Sequence, residues 1–247
     1  MLELQAVSKA FGELQVLHGI DLHLRPGTVS GLIGPNGSGK TTLVNIVTGV
    51  YAPDSGRVLL DGKDVSRASA DQITQLGVSR TFQNIRIFNR MSVLENVIAA
   101  LIGHDKPGLF TLLGSVREVD GAGVAAARRA LETVGLLDQS NLPAGELPLP
   151  LRRRLEIARA LACDPKVLVL DEPSGGMTPA ETARVSELIR SRIAPGRTCV
   201  VIEHKMDLIS HVCEHLCVLN HGEKIAEGDP RSVMSQPEVI EAYLGRP

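Results

Sequence analysis

Eight consecutive residues, Gly34-Pro35-Asn36-Gly37-Ser38-Gly39-Lys40-Thr41, match the spacing G-x-x-x-x-G-K-[ST]. Glycine adopts backbone conformations that other residues resist, so successive N–H groups of such a loop can turn inward onto phosphate oxygens. Lys40 adds a full positive charge, and the Thr41 hydroxyl suits Mg²⁺. The loop follows TVSGLIG, which reads as a buried strand. It precedes a segment whose Leu43, Ile46, Val47 and Val50 recur at helical spacing. A helix starting near Lys40 brings its positive end to the same anion. The plain alternative is a Gly-rich strand-to-helix turn that binds nothing; the flanking elements argue for the phosphate cradle.

A phosphate cradle that does chemistry needs a metal anchor and a group to organise water. Val167-Leu168-Val169-Leu170 is all apolar, as a parallel strand covered on both faces should be, and it ends in Asp171-Glu172. An aspartate at a strand end can hold the metal's shell, and the adjacent glutamate can orient or deprotonate a water for in-line attack on a terminal phosphate. Alone, the pair reads as an acidic turn. Coupled to the Gly-rich loop, it reads as the second half of a nucleotide-hydrolysing site.

The elements that must carry these groups follow from periodicity. LELQAV, LQVL and IDLHL alternate with period two up to the turn Arg25-Pro26-Gly27, which predicts antiparallel strands with one buried face. RVLLDGKDV (57–65) reads as a strand with an Asp61-Gly62 turn. From about Met91 to Cys163 the chain is Ala- and Leu-rich and helical, with a loose stretch at 103–123; Leu151, Leu155, Ala158 and Ala162 form one apolar stripe. After Pro165 come VLVL, a helix from about Pro179 to Arg192, the strand CVVIE, a helix from Met206, a strand pair around Gly222 and a helical tail from Asp229-Pro230. Strands alternating with helices predict an α/β core built on a parallel sheet.

Composition narrows the partners. The 247 residues carry 26 Lys+Arg against 28 Asp+Glu, so the basic excess of a protein that lives on phosphate backbones is missing, and no nucleic-acid partner is expected. Aromatics are 2% with no Trp, too few for an extended stacking platform. Val97 to Ile102 is among the longest apolar runs, far below the roughly 18 residues of a membrane span. The start MLELQAVSKAF lacks the pattern of a secretory signal, and four cysteines in this length do not make a disulfide framework, so a reduced cytoplasmic protein is expected. His211/His215 and Cys213/Cys217 have i, i+4 spacing, but Cys217 reads as the start of the strand CVLN, which turns it away from a helix face. Buried thiols and solvated histidines are expected there rather than zinc. Arg152-Arg153-Arg154 and Arg128-Arg129 read as solvated helix faces.

Across essentially its whole length the sequence resembles the ATP-binding subunit of an ABC transporter. That resemblance implies a P-loop NTPase (RecA-like) parallel-sheet core with an N-terminal antiparallel β subdomain and an inserted α-helical subdomain, divided as 1–83, 84–163 and 164–247. It implies ATP and Mg²⁺ as cofactors, with nucleotide contacts from residues 34–41 and Thr42, and metal contacts from Thr41, Gln83 and Asp171. Catalytic roles fall to Lys40, Glu172, His204 and Gln83. Gln83 in RTFQN stands at the family's Q-loop glutamine, His204 after CVVIE at its switch histidine, and Phe11 in KAFGEL where an aromatic stacks on adenine. Taken singly, these are an exposed Gln, a strand-end His and a core Phe. GVSRTFQNIRIFNRMSVLENV, GLFTLLGS (108–115), RRRLEIARAL, GGMTPAET, EHKMDLI and VIEAYLG resemble the longer ATPase subunit of branched-chain amino-acid importers.

Such a subunit implies ATP-driven import of branched-chain or related amino acids, transmembrane permease partners engaged through roughly Asn84 to Glu95, an extracytoplasmic solute-binding protein acting indirectly, and a place on the inner face of the membrane. ATPases of lipid or polysaccharide exporters and non-transport members of the class are the alternatives.

Two departures from the family pattern carry consequences. Where an LSGGQ-like signature is usual, this chain has Leu147-Pro148-Leu149-Pro150-Leu151; neither proline offers an N–H or a hydroxyl. Pro150 still suits the first turn of a helix. Thr178 replaces the usual Asp or Asn of the loop after the acidic pair. A partner ATPase subunit with an intact signature, hence a heterodimer, is therefore favoured over a homodimer.

Overall fold

The computed structural model describes residues 1–105 and 121–244; segment 108–115, most of 103–123 and the last three residues lie outside that description. The strands are β1 (Leu2–Phe11), β2 (Leu14–Leu24), β3 (Val29–Ile33), β4 (Ser55–Leu60), β5 (Lys63–Asp64), β6 (Val78–Arg80), β7 (Val167–Asp171), β8 (Thr198–Ile202), β9 (His215–Asn220) and β10 (Glu223–Gly228). The helices are α1 (Lys40–Val47), α2 (Ala70–Gln75), α3 (Val93–Asp105), α4 (Gly121–Val134), α5 (Leu149–Leu161), α6 (Pro179–Leu188), α7 (Met206–Val212), α8 (Pro230–Met234) and α9 (Pro237–Leu244). The chain divides into two compact units, residues 1–73 with 196–247, and residues 74–195.

In the first unit β2, β1, β4 and β5 form an antiparallel sheet in that order. Leu2 faces Leu24, Leu4 faces Leu22 and Val7 faces Ile20, and all six are buried, so the alternating pattern becomes one apolar face. LQVL and IDLHL are a single strand. The register shifts between Leu4 and Val7, where Ala6 takes φ 46° and its N–H donates to Asp21 Oδ1 at 2.8 Å. Asp61 and Gly62 both take positive φ and close the predicted β4–β5 turn. β3 pairs in parallel with β8 on one side and β9 on the other, and β10 turns back on β9. Every residue of β3 and β8 is buried, which explains their unbroken apolar character.

In the second unit β6 and β7 pair in parallel, with Val78 opposite Val167 and Arg80 opposite Val169. Helices α3, α4 and α5 pack on one another around Val93, Val97, Leu131, Val134 and Leu155, none more than 1% exposed. Leu155, Ala158 and Ala162 of the predicted stripe are buried. The helix expected to reach Arg192 is α-helical only to Leu188. It continues as a π-turn over Ile189–Ile193, with Ala194 N–H reaching the Ile189 carbonyl at 2.8 Å and both isoleucines fully buried.

Two sequence expectations are corrected. Val50 lies beyond the end of α1, after Gly49 at φ 71°, and is exposed. Arg152-Arg153-Arg154 is not a solvated face. Arg153 is buried and its Nη1 donates to the Phe82 carbonyl and to Glu156, while Arg152 donates through Nε and Nη2 to the carbonyls of Leu147 and Gly145. A guanidinium can satisfy several carbonyls at once, which a run of charges in a sequence does not reveal. Arg128 and Arg129 are exposed.

β9 begins at His215, whose Nε2 pairs with Glu227 Oε1 at 2.9 Å. Burial pushes the thiols of Cys199, Cys213 and Cys217 up to about 12, whereas Cys163 is half-buried. Since the thiolate is the nucleophile, one of the four cysteines, Cys163, should react with Ellman's reagent in the native protein at pH 8, and all four in urea. Rapid native reaction of three or more would contradict this packing.

Candidate functional site

The cradle lies wholly in the first unit. Gly34, Gly37 and Gly39 take φ of 153°, 79° and 101°, outside the range an L side chain favours. At Gly34 a Cβ would stand 2.1 Å from the Leu219 carbonyl of β9 and 2.6 Å from Ser38 Oγ, so only glycine fits. The Ser38 N–H donates to Pro35 O, the Gly222 N–H to Ser38 O and the His18 N–H to Gly222 O, which ties the loop to the β9–β10 turn and to β2. Gly39 precedes α1 and no side chain caps that helix, so its positive end is presented to whatever the loop holds. Lys40 is buried, and its Nζ donates to the carbonyls of Gly34 and Pro35, both at 2.8 Å, and to Ser38 Oγ at 3.4 Å. Asn36, Gly37 and Thr41 are exposed; Pro35 and Thr42 are half-buried. The Tyr243 hydroxyl of α9 meets the Gly34 backbone amide, and burial raises that phenol.

Phe11 is not a core residue. It ends β1 at 43% exposure and makes an edge-to-face contact with Tyr51, ring centres 5.2 Å apart. Lys9 lies over the Phe11 ring and pairs with Asp54, whose carboxyl is held low first by that bond and then by the Ala10 N–H. Sequence reasoning missed Tyr51; its only signal was an aromatic placed just beyond the helix that follows the loop. His204 is exposed, directly after β8 and Glu203. Glu203 is buried, and its Oε2 accepts the N–H groups of His204 and Lys205, at 3.0 and 3.4 Å, which fixes the turn that carries the histidine.

The acidic pair lies in the second unit. Asp171 ends β7, and its Oδ2 accepts from Arg80 Nη2 at 2.7 Å with both side chains about nine-tenths covered. Its N–H donates to Thr81 Oγ1. Glu172 takes φ 47°, a left-handed conformation that costs a non-glycine residue about 1 kcal/mol or more and turns its side chain out of the strand's alternation. Gln83 Nε2 donates to Glu172 Oε1 at 3.1 Å, so the expected Q-loop residue is joined to the expected base. Asn96, fully buried, accepts from the Phe88 N–H and donates to the carbonyls of Phe88 and Ser92, holding the turn that follows Gln83.

Pro148 stands at the N-cap of α5 with Pro150 inside the first turn, and no side chain caps this helix. Thr178 caps α6 through a reciprocal capping box with Glu181, a local use that threonine serves well. In the first unit Thr41 carries a hydroxyl; in the second, Gln83 carries an amide oxygen and Asp171 a carboxylate. They are hard oxygen ligands, and their chemistry fits Mg²⁺.

Residues 17–175 match the ABC transporter family. The chain belongs to that family. Residues 223–247 match a second description, the branched-chain amino acid ATP-binding cassette transporter. The high-affinity branched-chain amino acid transport ATP-binding protein LivG of Escherichia coli is 39% identical over 249 residues, covering 99% of this chain and 98% of LivG. BraF of Pseudomonas aeruginosa, described in the same words, is 38% identical over 250 residues with the same coverage. Among solved structures, a nucleotide-free ATP-binding cassette from an ABC transporter superposes with TM-score 0.90 at 33% identity, covering 100% of this chain and 99% of that one. The ADP conformation of the cassette MJ1267 gives 0.89 at 34% with the same coverage. A dimeric post-hydrolysis state of the cassette MJ0796 bound to ADP and Pi gives 0.77 at 25%, covering 94% and 99%. The α/β architecture with an antiparallel β sheet, a parallel sheet and a helical subdomain is thus that of an ABC ATP-binding cassette, an ATPase of transport. Among the described residues no helix is long and apolar enough to cross a membrane.

The close fit at Gly34 makes a direct prediction. Gly34→Ala should force β9 and the loop apart, at a cost of about 1–3 kcal/mol in urea unfolding, and should weaken ATP binding at least tenfold. Native stability together with native nucleotide affinity would contradict the geometry.

Proposed function

We propose that this chain is the ATP-hydrolysing subunit of an importer for branched-chain amino acids. The observation that carries the reading is a nucleotide cradle at residues 34–42 in a chain whose last residues, 223–247, match the branched-chain family. In this reading the backbone amides of residues 34–41, Thr42 and the Lys40 ammonium bind the phosphates, and Phe11 with Tyr51 offers an aromatic face to adenine. Thr41, Asp171 and Gln83 would hold Mg²⁺, which would supply positive charge to offset that of the phosphates. Glu172 accepts the proton of the attacking water as its oxygen bonds to the γ-phosphorus and the bond to ADP breaks. Gln83 keeps the Glu172 carboxylate aimed, and His204 donates to the γ-phosphate. Separate permease subunits bind the segment from Asn84 to Glu95, keep the chain at the inner face of the membrane, and connect it indirectly to a solute-binding protein outside.

The departure at 147–151 supports a heterodimer. In a head-to-tail pair, the site built on this chain's own Lys40, Asp171, Glu172 and His204 borrows the partner's signature. The partner's cradle faces Pro148–Leu151 instead. Loss of one or two charge-assisted phosphate contacts costs about 1.5–3 kcal/mol each, enough to slow a step tens- to hundreds-fold.

Glu172→Gln should bind ATP within about threefold of the native affinity, while turnover falls at least a hundredfold. Unchanged turnover removes Glu172 as the base. The chain alone should hydrolyse ATP tens- to hundreds-fold more slowly than an equimolar mixture with a partner ATPase that carries an intact signature. Cooperative hydrolysis at full rate by the chain alone overturns the heterodimer. ATP-driven uptake of leucine, isoleucine or valine by proteoliposomes holding the permeases and binding protein tests the substrate, and uptake of none of the three rejects it.

A further inference from the structure

We propose that Arg80 is a positioning residue for the metal carboxylate: it holds one oxygen of Asp171 and leaves the other as the edge presented to the cation. The inference rests on the reading of Asp171 as a metal ligand.

The geometry is local to one pair of strands. Arg80 is the last residue of β6 and stands opposite Val169 of β7, two residues before Asp171. The ladder continues one step beyond the strand, with Thr81 N–H donating to Val169 O and Asp171 N–H donating to Thr81 Oγ1. These bonds fix the backbone of Asp171 against the segment that carries Arg80. The guanidinium reaches Oδ2 at 2.7 Å, and the two side chains are 9% and 12% exposed, so water does little to weaken the pair. The Phe82 ring lies 5.5 Å from the Arg80 guanidinium carbon on one side, and the Arg86 guanidinium lies over the same ring at 4.6 Å. Arg153 holds the Phe82 carbonyl from α5. The guanidinium is therefore seated before any ligand arrives, and its charge is permanent.

Two consequences follow for a carboxylate that must meet a cation. Its torsion is fixed, so Oδ1 faces one direction. It also shares its negative charge with a guanidinium, so its hold on the cation is weaker than that of an unpaired aspartate. Removal of Arg80 acts on both. The loss of a neighbouring positive charge in a covered site outweighs the freedom of one side-chain torsion, so affinity for the cation should rise while turnover falls.

The test uses the full chain, Mn²⁺ as the probe and a non-hydrolysable ATP analogue, with bound Mn²⁺ read by electron paramagnetic resonance beside steady-state ATPase rates. Arg80→Gln should bind Mn²⁺ about tenfold more tightly and turn over ATP at least tenfold more slowly. Arg80→Lys keeps the charge without the planar fork; it should bind Mn²⁺ within about twofold of the native protein and still lose turnover. If Arg80→Gln does not fold, Arg80→Lys with native turnover is sufficient to overturn the proposal. Unchanged or weaker Mn²⁺ binding in a folded Arg80→Gln also overturns it. Asp171→Asn separates this failure from failure of the underlying reading: if it binds Mn²⁺ as the native chain does, Asp171 is not the metal ligand, whereas loss of Mn²⁺ there with no change in Arg80→Gln condemns the role of Arg80 alone.

Discussion

A buried ammonium is the constraint around which the first unit is organised. An isolated charge removed from water is prohibitively costly, so Lys40 is tolerated only where acceptors surround it, and the loop supplies the carbonyls of Gly34 and Pro35 and the Ser38 hydroxyl. A chain curled tightly enough to aim those oxygens inward must pass through left-handed conformations, which is the work of Gly34, Gly37 and Gly39. That curl in turn needs a wall to lean on. Leu219 of β9 comes so close to Gly34 that no side chain fits between them, and Gly222 reaches both Ser38 and His18. The fully buried strands β3 and β8 hold the loop's root in place.

Much of this was legible in the residues because it rests on local rules. Alternation gave the antiparallel sheet, Asp61-Gly62 its turn, VLVL a covered strand, and Gly-x-x-x-x-Gly-Lys-Thr the cradle. What escaped the sequence is of another kind. Arg153 is no more apolar than Arg129, yet one is buried and the other exposed, because burial depends on which carbonyls a helix face meets after folding. Tyr51 joins Phe11 only because the end of β1 and the turn after α1 converge. The change from α to π at Ile189 has no marker in the local pattern, since Ile189 and Ile193, four residues apart, would share a buried face of an ordinary α-helix as well.

In the second unit arginines do what backbone does in the first. Arg80, Arg152 and Arg153 each close a loop onto an acceptor: a carboxylate, the two carbonyls before α5, and the carbonyl of Phe82. The residues read as chemistry, Asp171, Glu172 and Gln83, are therefore held by neighbours that a motif search passes over. Thr178 shows the same economy in reverse. It looked like a lost functional residue, and it closes the end of α6.

The two prolines at the start of α5 have an effect separate from the donors they remove. Each fixes one backbone torsion in the unfolded chain as well as the folded one, so the loop surrenders less freedom on folding; compatible prolines commonly add about 0.4–1 kcal/mol of stability by this route. Leu147 is already extended, as a residue before proline prefers, and Arg152 pins its carbonyl. The head of α5 is thus a stiff strut whose shape is largely set before the rest of the chain folds around it.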